Sequence, residues 1–490
     1  MADIEIFPFN EIYVKVQCEA GIDYEMVEHF SFRVQGYQHQ PKYKAGVWDG
    51  YIRLYSRHTY KIYKGLLKRI LEFAKDRGYS VDIDPELLKD VRVVFTAEDL
   101  DAFIETLNLP EDRKPFDYQR QYILECIQKK RRLCISPTSS GKSLIVYILL
   151  RYLLEYQDQN ILILVDSINL RNQMFSDFKD YGFNSEANLH LMKGSKERFT
   201  QKRIIVCTWL TGSKQPPEWI SQFGAIMLDE AHRAQATSVK KVFEAAPKTA
   251  YRLGFTGTLD GTMTHQMVLE GLMGPKIEFI RTKDLQDRGI SAKIKIICLV
   301  INYPEEECRA VSKLRYDEEQ AFIFAHGKRN GLIKKLALDF KGNNVVMFKH
   351  IDHGKKLFDA ISSEAKVPCF YFAGEVKGED REEIRQTIMG HEESCTVASS
   401  GTFATGTNIP NINNMFNAAP FKSQIRVLQT IGRGLRVTKD KDTFYFVDIV
   451  DNFSWKKRKN FTYRHFLERL KIYNEQEFPY EIREIDWSKT

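Results

Sequence analysis

Two short stretches of this sequence hold residues that could do chemistry together. Residues 136–143 read SPTSSGKS, one glycine short of the pattern G-x-x-x-x-G-K-[ST] that cradles the phosphates of a nucleoside triphosphate. In that pattern Gly141 lets the backbone approach closely, Lys142 reaches the β/γ-phosphates and Ser143 ligates magnesium; the first position, here Ser136, is the most replaceable. The octapeptide follows an apolar run, RRLCI, and opens a helical one, SLIVYILLRYLLEY, which puts backbone N–H groups and a helix N-terminus around an anion. Alone, a degenerate G-K-S also fits a serine-rich turn before a helix. The second stretch, AIMLDEAH, changes that reading, because an apolar strand there ends in two carboxylates. Asp229 can hold magnesium, directly or through water, and Glu230 can orient and deprotonate an attacking water. In this order within one α/β domain, the two stretches point to ATP hydrolysis with Mg2+ as cofactor.

DEAH together with SPTSSGKS resembles the superfamily-two helicases of the DEAH-box type, and the other signature blocks of that family occur in order. The resemblance implies an ATP-binding set of Gln119 in FDYQRQ, with Tyr118 beside it, then Thr138, Ser139, Ser140, Gly141, Lys142, Ser143, His232, Gln429 and Gly406. It also implies strand-contacting blocks: VDSINLRNQ with Arg171, VCTWLTG with Thr208 and Thr211, and ASSGTFATGTNIP with Thr402 and Thr405. FTGTL, with Thr258, resembles the block that couples ATP to strand binding. In QTIGRGLR, Arg433 and Arg436 are three apart and on a helix would share a face; in the family such arginines complete the ATP site from the opposite domain and stabilise the charge of phosphoryl transfer. One departure is Asn408, between Gly406 and Pro410, where the family often has an aspartate. It leaves the position that faces the ribose in the family without a carboxylate.

These residues need a scaffold that delivers them to one place. From Arg131 short apolar runs (RRLCI, ILILVD, RIIVCT, AIMLDE, YRLGFTG) alternate with segments of helical length, and the rhythm restarts near residue 290 with KIKIICLV, NVVMFKH, VPCFYFAG, CTVASS and FYFVDIV. This is the sequence form of parallel sheets covered by helices on both faces. The expected fold class is α/β: tandem RecA-like parallel-sheet domains at 93–288 and 289–452, preceded by a small α+β domain at 1–92 and followed by a basic helical extension at 453–490. The threonines named above all follow predicted strands, on the face where such sheets bind ligands.

In the first module, tyrosines alternate with cations, YQHQPKYKAGVWDGYIRLYSRHTYKIYKGLLKR, a composition that can hold phosphates and stack on bases. Lys42, Lys44, Arg53 and Arg57 are the candidate contacts; a plain sheet with solvated cations is the competing reading. Gly46 and Gly50 flank an expected tight turn with a buried Trp48. A module of this kind before a helicase core resembles the UvsW-type recombination helicases of T-even bacteriophages along essentially the whole chain. That resemblance implies unwinding and branch migration of branched DNA, fork regression and dissolution of RNA–DNA loops. It also implies recombination or single-strand-binding proteins as partners. Removal of residues 1–90 would then be expected to leave a whole motor.

The bulk properties are compatible with this. A net charge of +7 over 490 residues, 43% hydrophobic and 28% charged, suits a globular protein with a polyanionic partner without demanding one. No apolar run approaches the ~18 residues of a membrane helix, and MADIEIFPFN lacks the basic-then-apolar form of a secretion signal. A cytoplasmic location is expected, the host cytoplasm for a phage protein. The eight cysteines form no C-x-x-C pair and read as reduced and buried, Cys134 and Cys207 foremost. Two other readings stay open: an RNA helicase or restriction-type duplex translocase with the same motor, and a non-motor nucleic-acid scaffold with a vestigial ATP site. The complete set Lys142, Asp229, Glu230, Arg433 and Arg436 weighs against the scaffold.

Overall fold

The computed structural model describes residues 2–488 except 35, 90–93, 195, 234–236, 260–261, 375–377, 405–408, 410, 420, 422 and 438–440, with the backbone alone at 89, 233, 264, 378–382, 402 and 404. The chain divides into two compact units, Met1–Ser136 with Gly141–Phe279, and Ile280–Thr490 with the short segment Pro137–Ser140.

The first unit opens with the α+β module. Its strands are β1 (Ile4–Pro8), β2 (Tyr13–Cys18), β3 (Ser31–Arg33), β4 (Tyr51–Arg53), β5 (Tyr55–Ser56), β6 (Lys61–Tyr63) and β7 (Val81–Ile83). Among the described residues five of them make a mixed sheet in the order β5-β6-β2-β1-β7, while β3 and β4 pair as a separate ribbon. Alternation sets the faces: Val14 and Val16 are fully buried and Lys15 points outward, the period of a half-buried strand. The helix Leu67–Arg77 lays Ile70, Phe73 and Ala74 on that sheet and ends at Gly78 in the left-handed region, φ 76°, the usual helix stop.

The RecA-like sheet that follows is entirely parallel. It consists of β8 (Arg131–Ile135), β9 (Asn160–Val165), β10 (Leu189–Leu191), β11 (Ile204–Thr208), β12 (Phe223–Asp229), β13 (Tyr251–Thr256) and β14 (Lys276–Ile277), in the order β10-β11-β9-β12-β13-β8-β14. β12 and β13 are buried along their length up to Asp229, as expected for strands covered on both faces. β10 and β14 are short edge strands that the apolar rhythm did not reveal.

The module is not a detachable neighbour of this sheet. Ile4, Val14, Ile62 and Phe73 belong to the same hydrophobic core as Leu133, Ile226, Leu269 and Met273. The turn Lys64–Leu66 lies so close to the helix Met263–Met273 that a Cβ on Gly65 would run into the Glu270 carbonyl oxygen, and one on Gly271 would meet the Tyr63 ring. Polar groups lock the seam: Tyr13 and Tyr63 both donate to Glu244 Oε1 at 2.8 and 2.7 Å, Arg69 grips Glu270 through two bonds of 2.9 and 3.2 Å, and Arg131 pairs with Glu11. Removal of residues 1–90 would therefore strip one wall of a shared core.

In the ribbon, Gly46 and Gly50 do adopt positive φ, 69° and 86°. Trp48, expected to be buried, is only half-buried: among the described residues β3 and β4 pair with each other alone, and the indole lines an open cleft of about 740 Å³ with Tyr43 and Arg53. Its Nε1–H donates to the Tyr51 carbonyl at 2.8 Å.

The second unit holds the other parallel sheet: β15 (Lys293–Asn302), β16 (Asn343–Phe348), β17 (Cys369–Phe372), β18 (Ser394–Ser399), β19 (Ile412–Asn417), β20 (Thr443–Asn452) and β21 (Tyr480–Asp486), in the order β17-β18-β16-β19-β20-β15-β21. The basic extension is a helix, Phe461–Glu475, but it continues into β21, which adds an edge strand beside β15. Buried charge anchors that helix to β20: Arg469 Nε lies 2.7 Å from Asp448 Oδ2, to which Tyr473 also donates at 2.9 Å. Glu319 accepts from the Phe461 and Thr462 amides at 2.9 and 2.8 Å, satisfying the helix N-terminus.

All eight cysteines are free; six are buried, Cys134 and Cys207 in strands and Cys126 and Cys308 in helices among them. Among the described residues no helix is long and apolar enough to cross a membrane, and no three His, Cys, Asp or Glu side chains gather as metal ligands.

Candidate active site

The loop after β8 accounts for its missing glycine. The Ser136 amide donates to the Thr256 carbonyl at 2.8 Å, continuing the β8–β13 ladder, and Ser136 is fully buried without a positive φ. A left-handed backbone is needed later, at Ser139 (φ 69°) and Gly141 (φ 76°), with the Ser140 amide between them donating to the Pro137 carbonyl at 3.2 Å. Helix Lys142–Tyr156 starts there. Lys142 Nζ donates to the Ser136 carbonyl at 3.1 Å across the neck of the loop, and Ser140 Oγ donates to the Pro137 carbonyl at 2.6 Å. Ser139 Oγ is buried and, among the described residues, has no hydrogen-bond partner.

Gln119 sits against this loop, 2% exposed. Its Oε1 accepts from the Phe116 amide at 2.8 Å and its Nε2 donates to the Gly141 carbonyl at 3.3 Å. Tyr118 is buried and stacked on Phe116 at 5.7 Å. Tyr122, which the sequence did not single out, donates its hydroxyl to the Ile135 carbonyl and accepts from the Phe279 amide at 2.8 Å; nothing in a lone helical tyrosine could have announced this.

At the end of β12, Asp229 accepts from the Glu230 amide at 2.9 Å, and Glu230 is held at φ 52°, a conformation that costs a non-glycine residue energy and concentrates at functional sites. Burial pushes the Asp229 carboxyl up to about 7, the Glu230 charge adds to this, and Lys142 acts against it. Two half-buried carboxylates at a strand end, with Lys142 close enough to act on one of them, are a donor set that fits a magnesium ion bound to phosphate. From Glu230 a chain of contacts leads away: His232 Nδ1 lies 3.2 Å from Glu230 Oε2 and 2.8 Å from Thr256 Oγ1, which in turn donates to the Thr258 carbonyl at 2.9 Å. Thr256, which the sequence did not single out, stands inside the quoted FTGTL block.

The candidate strand contacts separate into groups. Thr208 and Thr211 face each other at 2.9 Å at the end of β11, and Thr258 Oγ1 has no partner among the described residues. Arg171 is 4% exposed, its guanidinium bonded to the Met192 carbonyl at 3.2 Å and to Asn172, so it holds the β10 segment and cannot reach a phosphate as it stands. Lys42 and Lys44 lie on the short helix Pro41–Lys44, at the surface of the ribbon. Arg53 is engaged with Asp49, and Arg57 bonds the buried Asp23 at 2.7 Å. Thr405, Gly406, Asn408 and Pro410 lie outside the described residues, as does the side chain of Thr402.

In the second unit the helix Gln424–Gly434 carries Gln429 and Arg433 but ends before Arg436. The two arginines therefore do not share a helical face. The Phe444 ring occupies the space a Cβ on Gly434 would need, and the chain turns at Leu435, whose carbonyl accepts from the Ala292 amide at 2.8 Å.

Comparison with known proteins bears on the whole chain. Residues 3–84 match the family model described as DNA helicase UvsW, N-terminal; residues 112–261 match the type III restriction enzyme res subunit, and residues 309–438 the helicase conserved C-terminal domain. The ATP-dependent DNA helicase uvsW of Enterobacteria phage T4 is 32% identical over 504 residues, covering 99% of this chain and 100% of that protein. The chain belongs to the UvsW family. It is an ATP-dependent DNA helicase of superfamily two. The crystal structure of T4 UvsW superposes with a TM-score of 0.52 at 30% identity, covering 99% of both chains. A type ISP restriction-modification enzyme, LlaBIII bound to DNA, shares the fold at a TM-score of 0.57 and 15% identity, over 77% of this chain and 32% of that one.

Proposed function

We propose that this UvsW-family helicase acts on branched DNA, unwinding and branch-migrating four-way junctions, stalled forks and RNA–DNA loops in recombination, repair and replication. The observation that carries this reading is the N-terminal module, matched to the UvsW N-terminal model and built into one core with the first RecA-like sheet. A module fixed to the motor can hold one duplex arm while the motor pulls a strand of another. Its Lys42 and Lys44, at the surface, suit sequence-independent phosphate contacts.

Within the motor, the loop amides and Lys142 hold the β/γ-phosphates, Gln119 faces the base, and Thr138, Ser139, Ser140 and Gly141 form the cradle. Ser143 and Asp229 would hold magnesium, which when bound neutralises charge on the phosphates. Glu230 orients the attacking water and takes its proton; His232 and Thr256 pass its state toward Thr258. Gln429, Arg433, Arg436 and Gly406 supply the contribution of the second RecA-like domain, the arginines acting on the transition-state charge. Thr208, Thr211, Thr258, Thr402 and Thr405 take the DNA backbone, while Arg171, Arg53 and Arg57 act through the elements they brace. Domain limits of 1–92, 93–288, 289–452 and 453–490 accompany this reading. So do a cytoplasmic site of action in a phage-infected cell and recombination or single-strand-binding proteins as partners.

ATPase stimulation by single-stranded DNA, duplex, four-way junction, RNA–DNA loop and RNA tests the reading. Branched substrates should stimulate most; equal stimulation by RNA alone would replace it with an RNA helicase.

A further inference from the structure

The second unit has a cleft of about 410 Å³ that the ATP site does not use, within the ~300–1,000 Å³ range of small-molecule clefts. Tyr316, Phe461 and His465 form its aromatic wall, and Phe421 and the cations Lys349 and Arg426 also line it. We infer that this cleft takes one unstacked nucleobase of the bound DNA strand, with the adjoining phosphate on Lys349 and Arg426. The inference rests on the DNA-helicase assignment and adds a site to it.

Three observations converge. Position is the first: Lys349 follows β16, Ser400 follows β18 and Ala419 follows β19, so the cleft opens at the carboxyl ends of parallel strands, where such sheets bind ligands. Chemistry is the second. Tyr316 meets Phe461 at 5.7 Å and His465 at 5.4 Å, both edge-to-face, and Phe461 and His465 are one helical turn apart on Phe461–Glu475. All three rings are half-buried, leaving surface for a base, and stacking on aromatics accepts any base. The lining residues include two cations and no carboxylate, which suits a phosphate.

The third is rigidity. Glu319 fixes the start of the helix that supplies Phe461 and His465. Arg469, held by Asp448, donates to the Phe421 carbonyl at 2.9 Å and so positions another part of the lining. Lys349 Nζ donates to Gln320 Oε1 at 2.7 Å and lies 5.5 Å from the Tyr316 ring centroid. A wall prearranged in this way loses little freedom on binding.

The full-length protein should be titrated with a fluorescein-labelled single-stranded oligodeoxynucleotide and with the same strand made abasic at alternate positions, which keeps the phosphate count. Wild type should prefer the complete strand. Tyr316→Leu and His465→Leu should weaken binding of the complete strand at least ~5-fold, the low end of a lost base stack, and leave the abasic strand almost unchanged. Tyr316→Phe, which keeps the ring, should behave as wild type and excludes misfolding as the cause. Equal affinities of wild type and leucine variants for the complete strand, or equal weakening on both strands, would overturn the inference. Failure of DNA to stimulate the wild-type ATPase would instead count against the DNA-helicase reading itself.

Discussion

Lys142 and Glu230 are the residues at which the chemistry can be interrupted most cleanly. Lys142 bonds a carbonyl of its own loop, so its loss should spare the fold while removing charge from a preorganised phosphate site. Lys142→Ala should lower DNA-stimulated ATP turnover by ~1,000-fold or more, with melting temperature and DNA affinity near wild type; turnover within a few-fold of wild type would show that the loop is not the phosphate site. Arg433→Ala should lower kcat by ~1,000-fold while the Kd for ATP changes little, because such arginines act on the transition state more than on the bound nucleotide. Stopped-flow nucleotide binding beside steady-state turnover separates the two. A parallel loss of affinity and kcat would assign Arg433 to ground-state binding.

At the scale of elements, the seam and the buried polar groups matter most. Gly65→Ala should destabilise the first unit by more than ~1 kcal/mol, the scale of overpacking against an unyielding backbone, and thermal unfolding would measure it. Lys441 offers a pH test. Burial, with Arg436 nearby, pushes its amine down to about 7, so the folded state binds this proton less readily than the unfolded chain. Its contribution is intact above the ordinary lysine range, near pH ~10.4, and is lost as pH falls toward 7. Lys441→Met should therefore flatten the rise in melting temperature of the second unit between about pH 7 and 9.5; an unchanged slope would mean that Lys441 stays charged.

The same scale shows what the sequence revealed and what it hid. Long apolar strands such as AIMLDE and YRLGFTG stood out because they are buried on both faces. β19, INNMFN, did not, although it lies inside the second sheet between β16 and β20. Its Asn414 and Asn417 are buried and hydrogen-bonded, Asn414 to Asn344 and the Lys341 carbonyl and Asn417 to Asp448, so the strand is polar in composition yet stable in place. β21 was hidden for another reason: as an edge strand it is mostly exposed and carries no apolar run. The loop between β8 and the helix Lys142–Tyr156, and the two carboxylates at the end of β12, stand where the strand-then-helix pattern put them. For Arg171, Arg53 and Arg57, sequence shows a cation but not the carbonyl or carboxylate that already holds it.

For the whole molecule, the shared core makes the N-terminal module part of the motor's body, so its DNA role must be tested by substitution and not by removal. Arg57 should be kept, since losing it would leave Asp23 buried beside Tyr55 without its cation. Lys42→Ala with Lys44→Ala should lower the salt slope of four-way-junction binding by ~2, about one unit for each phosphate that is no longer neutralised; parallel slopes would reassign the module to a purely structural role. The central claim, ATP-driven remodelling of branched DNA, is tested most directly by the rate at which the full-length protein separates a mobile four-way junction into its product duplexes. The account predicts ATP-dependent conversion faster than unwinding of a plain tailed duplex of equal length, and none with Lys142→Ala. Conversion no faster than for the tailed duplex, or undiminished in Lys142→Ala, would contradict it.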